Sequence, residues 1–484
     1  MTTAAEVNVV IDGSGFTADA DDVDVVIVGS GFAGLAAAIE AAADPANSVV
    51  VVEKMGELGG NSIWNGGQVA AVGSPEQAAA GIADSPELME KDMLDAGGNL
   101  NHIDLLRILS HGSNETADWT RSLGVEYRPK LSHLGGHSVP RTLCTLGSVG
   151  HDLITPMLAK IHSLKNVKML INTTIVGLVT DPLGRVLGVE TRPSCDPDVG
   201  AEIPTPGRIR CRKGVVLAAG GFGADVAFRA VQDPRFGAEV MTTNQPGATA
   251  EMLRATLRIG AMPVQLSHIQ LGPWTSPDEG RFGRVPLFCL GAGFPHGILV
   301  NPATGARFVN EMANRRVRSH AILGLGQPAV CLTDAAGAQH SLVHPLGMLA
   351  PALQEHQTIA ALAAAHGMDA SKLEHTIAEY NRGVEGGSDA FGKPLSAETK
   401  PIARAPFYCA RIWPKVHHTC GGVQINPRAM VLDLDGAPIP RLFAAGEFVG
   451  GVHGADRLGS CATTECLLFG RIAGKQAAAQ ERSP

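Results

Sequence analysis

Residues 25–34 read Val-Val-Ile-Val-Gly-Ser-Gly-Phe-Ala-Gly, an apolar run that leads into a Gly-x-Gly-x-x-Gly pattern. A buried strand followed by these glycines is typical of the turn from strand to helix in a dinucleotide-binding site. Gly29 allows the tight turn, Gly31 allows a pyrophosphate to approach the backbone, and Gly34 allows the helix to pack closely. The stretch therefore predicts an α/β fold that binds a dinucleotide.

The residues around the motif matter, because glycine patterns also arise by chance in a chain with 58 glycines. Residues 35–43 are predicted to form a helix whose free N–H groups face the phosphates. The next apolar run, residues 48–54, is predicted to be the second strand of a βαβ unit, and it includes Glu53. A carboxylate at this place accepts hydrogen bonds from the adenosine ribose hydroxyls. Strand, helix and acid together favour a dinucleotide site over an ordinary glycine turn.

Composition narrows the classes of protein and partner. The chain has 484 residues, more than one hydrophobic core usually covers, so two domains are expected. A net charge of −8 without a Lys/Arg-rich run argues against a nucleic-acid partner. No stretch is long and apolar enough to span a bilayer, and residues 1–22 lack the features of a secretory signal. We therefore expect no membrane partner and a cytoplasmic location.

Nine cysteines are scattered along the chain without a Cys-x-x-Cys pair. This pattern indicates reduced thiols and excludes the haem-attachment and iron–sulfur signatures. His133 and His137 are too isolated from other ligand-type residues to indicate a metal site, and none is predicted. Redox chemistry in this chain must therefore rest on an organic cofactor.

The character of the sequence changes twice along the chain. Residues 24–262 carry the glycine motif and the predicted strands, whereas residues 263–415 are rich in loops, prolines and short helices. Residues 416–484 return to the earlier style. We interpret the first and last of these segments as one cofactor domain, the middle one as an inserted cap, and residues 1–23 as an N-terminal tail. The predicted fold class is α/β, a discontinuous Rossmann-like domain with an inserted α+β capping domain.

Several motifs follow one another in a fixed order. They are residues 29–34, residues 59–62 with 66–67, residues 218–222, residues 307–311, residues 417–422, and residues 444–447 leading to 454–459. Together they resemble the FAD-dependent superfamily of fumarate reductases, succinate dehydrogenases and 3-ketosteroid dehydrogenases. The likeness covers nearly the whole chain from Asp24, and it is greatest to a soluble flavocytochrome c-like flavoprotein without a haem domain.

This resemblance implies that the cofactor is FAD. Glu53 would hold the ribose, Ile175 would contribute backbone to the adenine, and Glu447 would lie against the ribityl chain. The residues expected to contact FAD are Gly29, Gly31, Gly34, Glu53, Lys54, Gly60, Asn61, Ser62, Gly66, Gly67, Gln68, Ile175, Ala219, Gly220, Gly221, Glu447, Ser460, Cys461 and Ala462. Relatives that attach the flavin covalently use a histidine where this chain has Asn61 and Ser62, so noncovalent binding is expected.

The resemblance also implies catalytic roles. His417 and Arg457 match the residues that hold a substrate carboxylate, because an anion that leaves water needs charged, hydrogen-bonding partners. Arg315, just after the Asn-Glu pair of residues 310–311, matches the proton donor, with Arg316 as its rival. His268 is expected at the opening of the cap, and a core histidine is the alternative interpretation of this residue.

Two departures from the family pattern concern the cap. The usual His-Pro-Thr is replaced by Ser-His-Ile-Gln at residues 267–270, and the residues of the usual proton path are missing before the Asn-Glu pair. Asp278, Glu279 and His296 are candidate substitutes for that path. These departures disfavour fumarate itself and predict a substrate with one carboxylate or carbonyl and a bulkier remainder.

The predicted function is the FAD-dependent reduction or formation of an activated C=C bond next to a carboxylate or carbonyl. A hydride would pass between the flavin and one carbon while Arg315 handles the proton on the other. The substrate would be a small enoate or carbonyl compound, and the sequence does not identify the electron donor or acceptor. A 3-ketosteroid-type dehydrogenase is one alternative, but Tyr127, Tyr380 and Tyr408 lie away from the Asn-Glu pair. A flavoprotein electron-transfer subunit is the other, and it would not need the anion-binding residues.

Overall fold

The computed structural model describes residues 21–194, 207–339 and 345–482. Most of the predicted N-terminal tail, residues 1–20, lies outside these described residues. The strands are β1 (Asp21–Val28), β2 (Val49–Val52), β3 (Gln68–Ala70), β4 (Thr142–Cys144), β5 (Val167–Leu170), β6 (Thr173–Thr180), β7 (Val186–Pro193), β8 (Gly207–Leu217), β9 (Pro263–Val264), β10 (Ile269–Gly272), β11 (Ile298–Val300), β12 (Ala329–Asp334), β13 (Gln354–His356), β14 (Phe407–Ile412), β15 (Lys415–Thr419), β16 (Gly422–Val423), β17 (Met430–Leu432) and β18 (Pro438–Ala444).

Helices cover the sheets and connect them. They are α1 (Phe32–Ala41), α2 (Pro75–Ala79), α3 (Pro86–Gly97), α4 (Ile103–Ser122), α5 (His151–Ser163), α6 (Val226–Gln232), α7 (Glu251–Arg258), α8 (Val285–Phe288), α9 (Phe294–His296), α10 (Arg315–Leu323), α11 (Ala335–Gln339), α12 (Ile359–Ala365), α13 (Ala370–Gly386) and α14 (Cys461–Ala478). None of the described helices combines the length and the apolar character needed to cross a membrane.

The largest sheet forms the core of the cofactor domain. Its strand order is β17-β18-β8-β1-β2-β5, with the β6–β7 hairpin attached through β7. The pairs of β1 with β2 and with β8 are parallel, and all four residues of β2 are buried valines. Such uninterrupted apolar strands are typical of a parallel sheet covered on both faces. The predicted α/β class and the βαβ unit are confirmed.

The first helix begins earlier than predicted. It spans Phe32–Ala41 instead of residues 35–43, because Gly31 already serves as the N-cap with an extended backbone. Phe32 is buried in the main core, so the first turn of the helix is anchored by packing. The free N–H groups at the start of this helix therefore lie directly beside the glycine turn.

The last helix returns to the domain in which the chain began. A Cβ atom at Gly470 would lie 2.4 Å from the carbonyl oxygen of Ala33, and one at Gly474 would lie 2.2 Å from that of Ala37. These two glycines of α14 therefore let its backbone press against α1. The contact joins the two ends of the sequence in one discontinuous Rossmann-like domain, as predicted.

A second, antiparallel sheet forms the cap. Its order is β11-β12-β14-β13, and its two faces pack against different helices. Ile298 and Val300 face a cluster that includes Leu362 and Leu373, whereas Leu299 faces a cluster around Trp274. This alternation is the period of two expected of strands with both faces buried. The inserted α+β cap of the prediction is confirmed, while its boundaries at residues 263 and 415 stay a prediction.

Strands β10 and β15 lie where the cap meets the cofactor domain. They pair in antiparallel fashion, with Gln270 opposite His418 and Ile269 opposite Thr419. The pairing shifts register between Gln270 and Leu271. The side chains of β15 therefore lie at the junction of the two domains.

Candidate active site

A groove with about 890 Å³ of free volume opens at the carboxyl ends of β1, β2 and β8. The glycine turn forms its floor. At Gly29, whose φ is +98°, a Cβ atom would lie 2.3 Å from the carbonyl oxygen of Ala218. At Gly34 it would lie 1.9 Å from the carbonyl oxygen of Gly29. Both positions therefore exclude a side chain, as the motif predicts.

Glu53 fixes the turn against the second strand. Its Oε2 accepts hydrogen bonds from the Ser30 backbone N–H at 3.0 Å and from the Ser30 hydroxyl at 2.7 Å. Its Oε1 accepts from the Met55 N–H at 2.9 Å. The side chain is buried and lines the groove. Contact with a ribose stays a prediction, and the structure adds that Glu53 organises the turn itself.

Other predicted cofactor residues line the rest of this groove. Ser62 caps the start of α1, because its hydroxyl accepts from the Phe32 N–H at 3.0 Å. Asn61 donates to Asn244 at 2.6 Å and accepts from the Gln245 N–H at 2.9 Å. The predicted residues on the groove wall are Gly29, Gly31, Glu53, Lys54, Gly60, Asn61, Ser62, Ile175, Ala219, Gly220 and Glu447. Their arrangement suits a long, flat ligand with phosphates near the start of a helix.

A second cavity of about 900 Å³ continues from the groove. The two share Phe32, Asn61, Ser62, Glu447 and Cys466 on their walls. The predicted cofactor residues on this wall are Asn61, Ser62, Gly66, Gln68, Glu447, Ser460 and Ala462, whereas Gly34, Gly67, Gly221 and Cys461 line neither space. The groove and the second cavity therefore adjoin at these shared residues.

Glu447 stands where the two spaces join. Its Oε1 accepts from the Thr419 N–H at 2.9 Å and lies 3.4 Å from Nδ1 of His418. Burial raises the pKa of Glu447 to about 7. Removal of the carboxylate from water costs more than these bonds return, so the protonated form of Glu447 is favoured far more than that of an exposed glutamate.

Three of the four predicted catalytic residues line the second cavity. They are Arg315, His417 and Arg457. Arg315 begins α10 after the N-cap residue Asn314, and its Nη1 donates to Oε1 of Gln270 at 2.9 Å. Its guanidinium lies 5.3 Å from the centre of the Trp274 ring. Burial and the charge of Arg457 hold the pKa of Arg315 well below its usual range.

His417 lies on β15 and faces the same cavity. Its Nδ1 is 2.8 Å from the hydroxyl of Thr243, and its ring meets Trp274 edge to face at 4.7 Å. Burial, followed by the charges of Arg315 and Arg457, lowers the pKa of His417 far below the ordinary value. The imidazole is therefore neutral at pH 7 until an anion enters beside it.

Arg457 is buried, and no described carboxylate forms a salt bridge with it. Its Nη1 donates to the carbonyl oxygen of Leu458 at 3.2 Å, and within the described part of the chain its Nε has no hydrogen-bond partner. No salt bridge of the described residues involves Arg315 or Arg457. A buried cation in this condition is costly unless an anion binds to it.

His268 lies in a different place from the other three. It lines a separate cavity of about 570 Å³, together with Arg235, Arg316 and His320. Arg316, the rival donor, is exposed and faces this cavity as well. The structure therefore separates His268 and Arg316 from the group formed by Arg315, His417 and Arg457.

The candidates for a replacement proton path, Asp278, Glu279 and His296, line neither the groove nor the second cavity. Asp278 pairs with Arg411, and the Glu279 carboxylate accepts from the N–H groups of Arg284 and Val285. His296 ends α9, and its carbonyl oxygen accepts from the Thr333 hydroxyl.

Gln270 and Asp456 form the contacts behind Arg315 instead. The Gln270 amide accepts from Arg315 and donates to the Asp456 carboxylate and, at 2.6 Å, to the Arg457 carbonyl oxygen. Asp456 also accepts from the Arg316 N–H at 3.0 Å. A hydrogen-bonded chain therefore links Arg315 to the cavity that contains His268. Sequence reasoning missed Gln270, although it lies in the altered segment, and missed Asp456, although it precedes Arg457.

Comparisons with known proteins agree with this geometry. Residues 24–463 match the family model described as the FAD binding domain. The chain belongs to this family. It is 42% identical over 487 residues to the acrylate reductase flavoprotein subunit of Shewanella woodyi, covering 97% of this chain and 91% of the relative. It is 35% identical over 460 residues to the urocanate reductase of Eggerthella lenta, covering 92% and 73%.

Solved structures show the same architecture. The open conformation of a flavocytochrome c3 fumarate reductase superposes with a TM-score of 0.74 at 31% identity, covering 95% of this chain and 78% of that one. A 3-ketosteroid dehydrogenase from Rhodococcus jostii has a TM-score of 0.73 at 24% identity, covering 97% and 99%, and shares the fold. The predicted family and the cofactor FAD are confirmed, and the glycine turn and the continuous groove fit this cofactor.

We predict that Gly31→Val reduces FAD binding without unfolding the chain. The backbone at Gly31 has a φ of −70°, which any residue adopts, and its Cβ would meet the Ser62 hydroxyl at 3.1 Å, at the start of α1. A valine there blocks the approach of phosphates to the helix. The measurement is the ratio of flavin to protein absorbance after purification, with circular dichroism to check the fold.

Gly280→Val is the matched control. Gly280 is exposed, and a Cβ atom there would meet nothing within 4 Å. This variant should retain FAD as the wild type does. Full retention of FAD by Gly31→Val would contradict the assignment of the phosphate-binding turn.

Proposed function

We propose that this protein uses FAD to reduce the C=C bond of a small α,β-unsaturated carboxylate. The observation that carries the proposal is the cavity in which Arg315, His417 and Arg457 meet beside the cofactor groove. The names of the relatives, acrylate reductase and urocanate reductase, support the same reaction class. FAD, when bound, supplies the hydride that such a reaction needs. The residues of the chain supply anion binding, orientation and a proton.

Arg457 and His417 bind the carboxylate in this mechanism. Arg457 has an Nε donor without a partner, and a carboxylate in the cavity would satisfy this donor and balance the buried charge. The anion would also raise the pKa of His417, which burial and then the two arginines lower. Binding therefore draws on buried charges that form no direct salt bridge within the described part of the chain.

Arg315 donates the proton to the substrate carbon in this mechanism. An arginine is ordinarily a poor acid, since its pKa lies above about 12. Burial and the neighbouring charge of Arg457 lower the pKa of Arg315, and a carbon that gains electrons is a strong base. Gln270 accepts from the Arg315 Nη1 and thereby fixes the direction in which the other donors point.

The rest of the cavity wall favours a substrate with one carboxylate. Trp274, Phe282 and Leu290 line it, and the Trp274 ring packs against His417 and beneath Arg315. On the side of the cavity that these three apolar side chains form, a second carboxylate would find no partner and would lose its hydration without compensation. The proposed substrate is therefore a monocarboxylate whose remainder is apolar or aromatic.

The alternative functions fit the structure less well. The Tyr127 hydroxyl lies 2.6 Å from that of Thr120, Tyr380 is buried in the cap, and Tyr408 lies on β14. None of these tyrosines lines the groove or the second cavity. A ketosteroid-type dehydrogenase that relies on a tyrosine base is thus not favoured. A pure electron carrier has no use for two buried arginines beside the cofactor.

Replacement of Arg315 should slow the reduction of the substrate without affecting the binding of FAD. We predict that Arg315→Ala lowers the rate at which an enoate reoxidises the reduced enzyme by about 100-fold or more, the usual range for a lost proton donor. Flavin absorbance should stay as in the wild type. Stopped-flow absorbance under anaerobic conditions measures both quantities.

Arg316→Ala is the control for this experiment, because Arg316 is the next residue but is exposed and lines the other cavity. It should retain most of the activity. If Arg316→Ala loses activity while Arg315→Ala keeps it, the proton donor is reassigned to Arg316.

A panel of electron acceptors tests the number of carboxylates. We predict that acrylate and cinnamate reoxidise the dithionite-reduced enzyme faster than fumarate at equal concentration, because fumarate must place a second charge against Trp274 and Phe282. The measurement is the rate of flavin reoxidation with each compound. Faster reoxidation by fumarate would refute the monocarboxylate assignment, and no reoxidation by any of the three would refute the proposed function.

A further inference from the structure

Three metal-ligand side chains meet in the cap, away from both the groove and the second cavity. They are His356 on β13, Cys409 on β14 and His366, which directly follows α12. The ligand atoms of all three lie within 4.8 Å of one another, and Nε2 of His366 is 3.3 Å from Sγ of Cys409. Among the described residues this is the one group of three such side chains with this spacing.

Pairing of the edge strand brings the first two together. In the antiparallel ladder of β13 and β14, Gln354 lies opposite Cys409 and His356 lies opposite Phe407. His356 and Cys409 are thus diagonal neighbours on one face of the sheet, a spacing that side chains bridge readily.

Helix α12 supplies the third side chain. Its residues Leu362 and Ala363 are buried in the cluster that also contains Cys409. The helix ends at Ala365 with His366 as its C-cap, and the Met368 N–H donates back to the Ala363 carbonyl oxygen at 2.8 Å. This closed turn holds the His366 ring against the sheet.

The chemistry of the three ligands suits a borderline-soft divalent cation. Two imidazoles and a thiolate are ligands that Zn²⁺ prefers, at about 2.0–2.3 Å from the metal. Ligand atoms within 4.8 Å of one another need only small side-chain rotations to reach that arrangement.

The surroundings also permit a cation to enter. Cys409 is fully buried, but His356 and His366 are both half-buried, so the site opens to solvent through its imidazoles. Asp278 and Arg411 lie near this cluster and form a salt bridge with each other, so the Asp278 carboxylate offsets part of the Arg411 charge.

We infer that His356, His366 and Cys409 form a Zn²⁺ site that fastens the edge strand β13 and the end of α12 to β14. The fourth position would hold water, as at zinc sites with three protein ligands. The Cys409 proton is released to solvent when the thiolate binds the metal, so no oxidant or reductant is needed. The role is structural, because none of the three residues lines the groove or the second cavity.

The test uses the FAD-loaded protein after chelation and desalting. Titration with Co²⁺ should produce visible d–d absorption on the long-wavelength side of the flavin bands, which saturates at about one Co²⁺ per chain and disappears when Zn²⁺ is added. Zn²⁺ should also raise the apparent melting temperature, since it binds the folded state. A wild-type protein that shows neither effect would overturn the site.

Variants decide whether these three residues are responsible. Cys409→Ser and His366→Ala should lose both effects, and His356→Ala, which removes a half-buried ring, covers the case in which the first two fail to fold. Cys211→Ser removes a buried cysteine of the other domain, and His375→Ala removes an exposed histidine that pairs with Glu379. Both controls should bind Co²⁺ as the wild type does. Unchanged binding in all three site variants would show that the metal is held elsewhere and would overturn the inference.

Discussion

Two buried guanidinium groups that share one cavity, Arg315 and Arg457, impose the constraint on which the site depends. Each is removed from water, and neither forms a salt bridge with a described side chain. Burial, followed by the charge of Arg457, lowers the pKa of Arg315, and burial, followed by both arginine charges, lowers the pKa of His417. A fold that keeps such charges together, with carboxylates such as Asp456 nearby but none in a direct salt bridge among the described residues, is prepared to bind an anion. Affinity for the substrate and acidity of the proton donor therefore have one physical origin.

The architecture holds these charges in place from two directions. Arg315 and Trp274 belong to the cap, whereas His417 and Arg457 belong to segments that return to the cofactor domain. The pairing of β10 with β15 joins the two parts, and Gln270 at that junction bonds to Arg315 and to the Arg457 carbonyl. The packing of α14 on α1 then fixes the returning segment to the glycine turn. Cofactor binding and anion binding are thus built on the same contacts.

Much of this could be predicted from the sequence, because the decisive features are local. The glycine turn is marked by three glycines at a fixed spacing. The clashes that a Cβ atom would make at Gly29 and Gly34 show why these positions need glycine. Arg315 and Arg457 follow short motifs, and the structure brings both to the cavity with His417.

The remaining features depend on contacts between distant segments. His268 and Gln270 are two residues apart, and only the junction with β15 determines that Gln270 meets Arg315. His356, His366 and Cys409 show no ligand spacing in the sequence, because strand pairing and a helix end bring them together. The start of α1 differs from the predicted one, since a glycine at the N-cap has no side-chain signal.

The most direct test of the central claim is a crystal structure of the FAD-loaded protein with acrylate bound. The protein is kept in its oxidised form, so that it cannot reduce the enoate. We expect its carboxylate within hydrogen-bonding distance of Arg457 and His417, with a donor of Arg315 facing the double bond. A carboxylate bound elsewhere, with Arg457 paired to a protein carboxylate, would contradict the account.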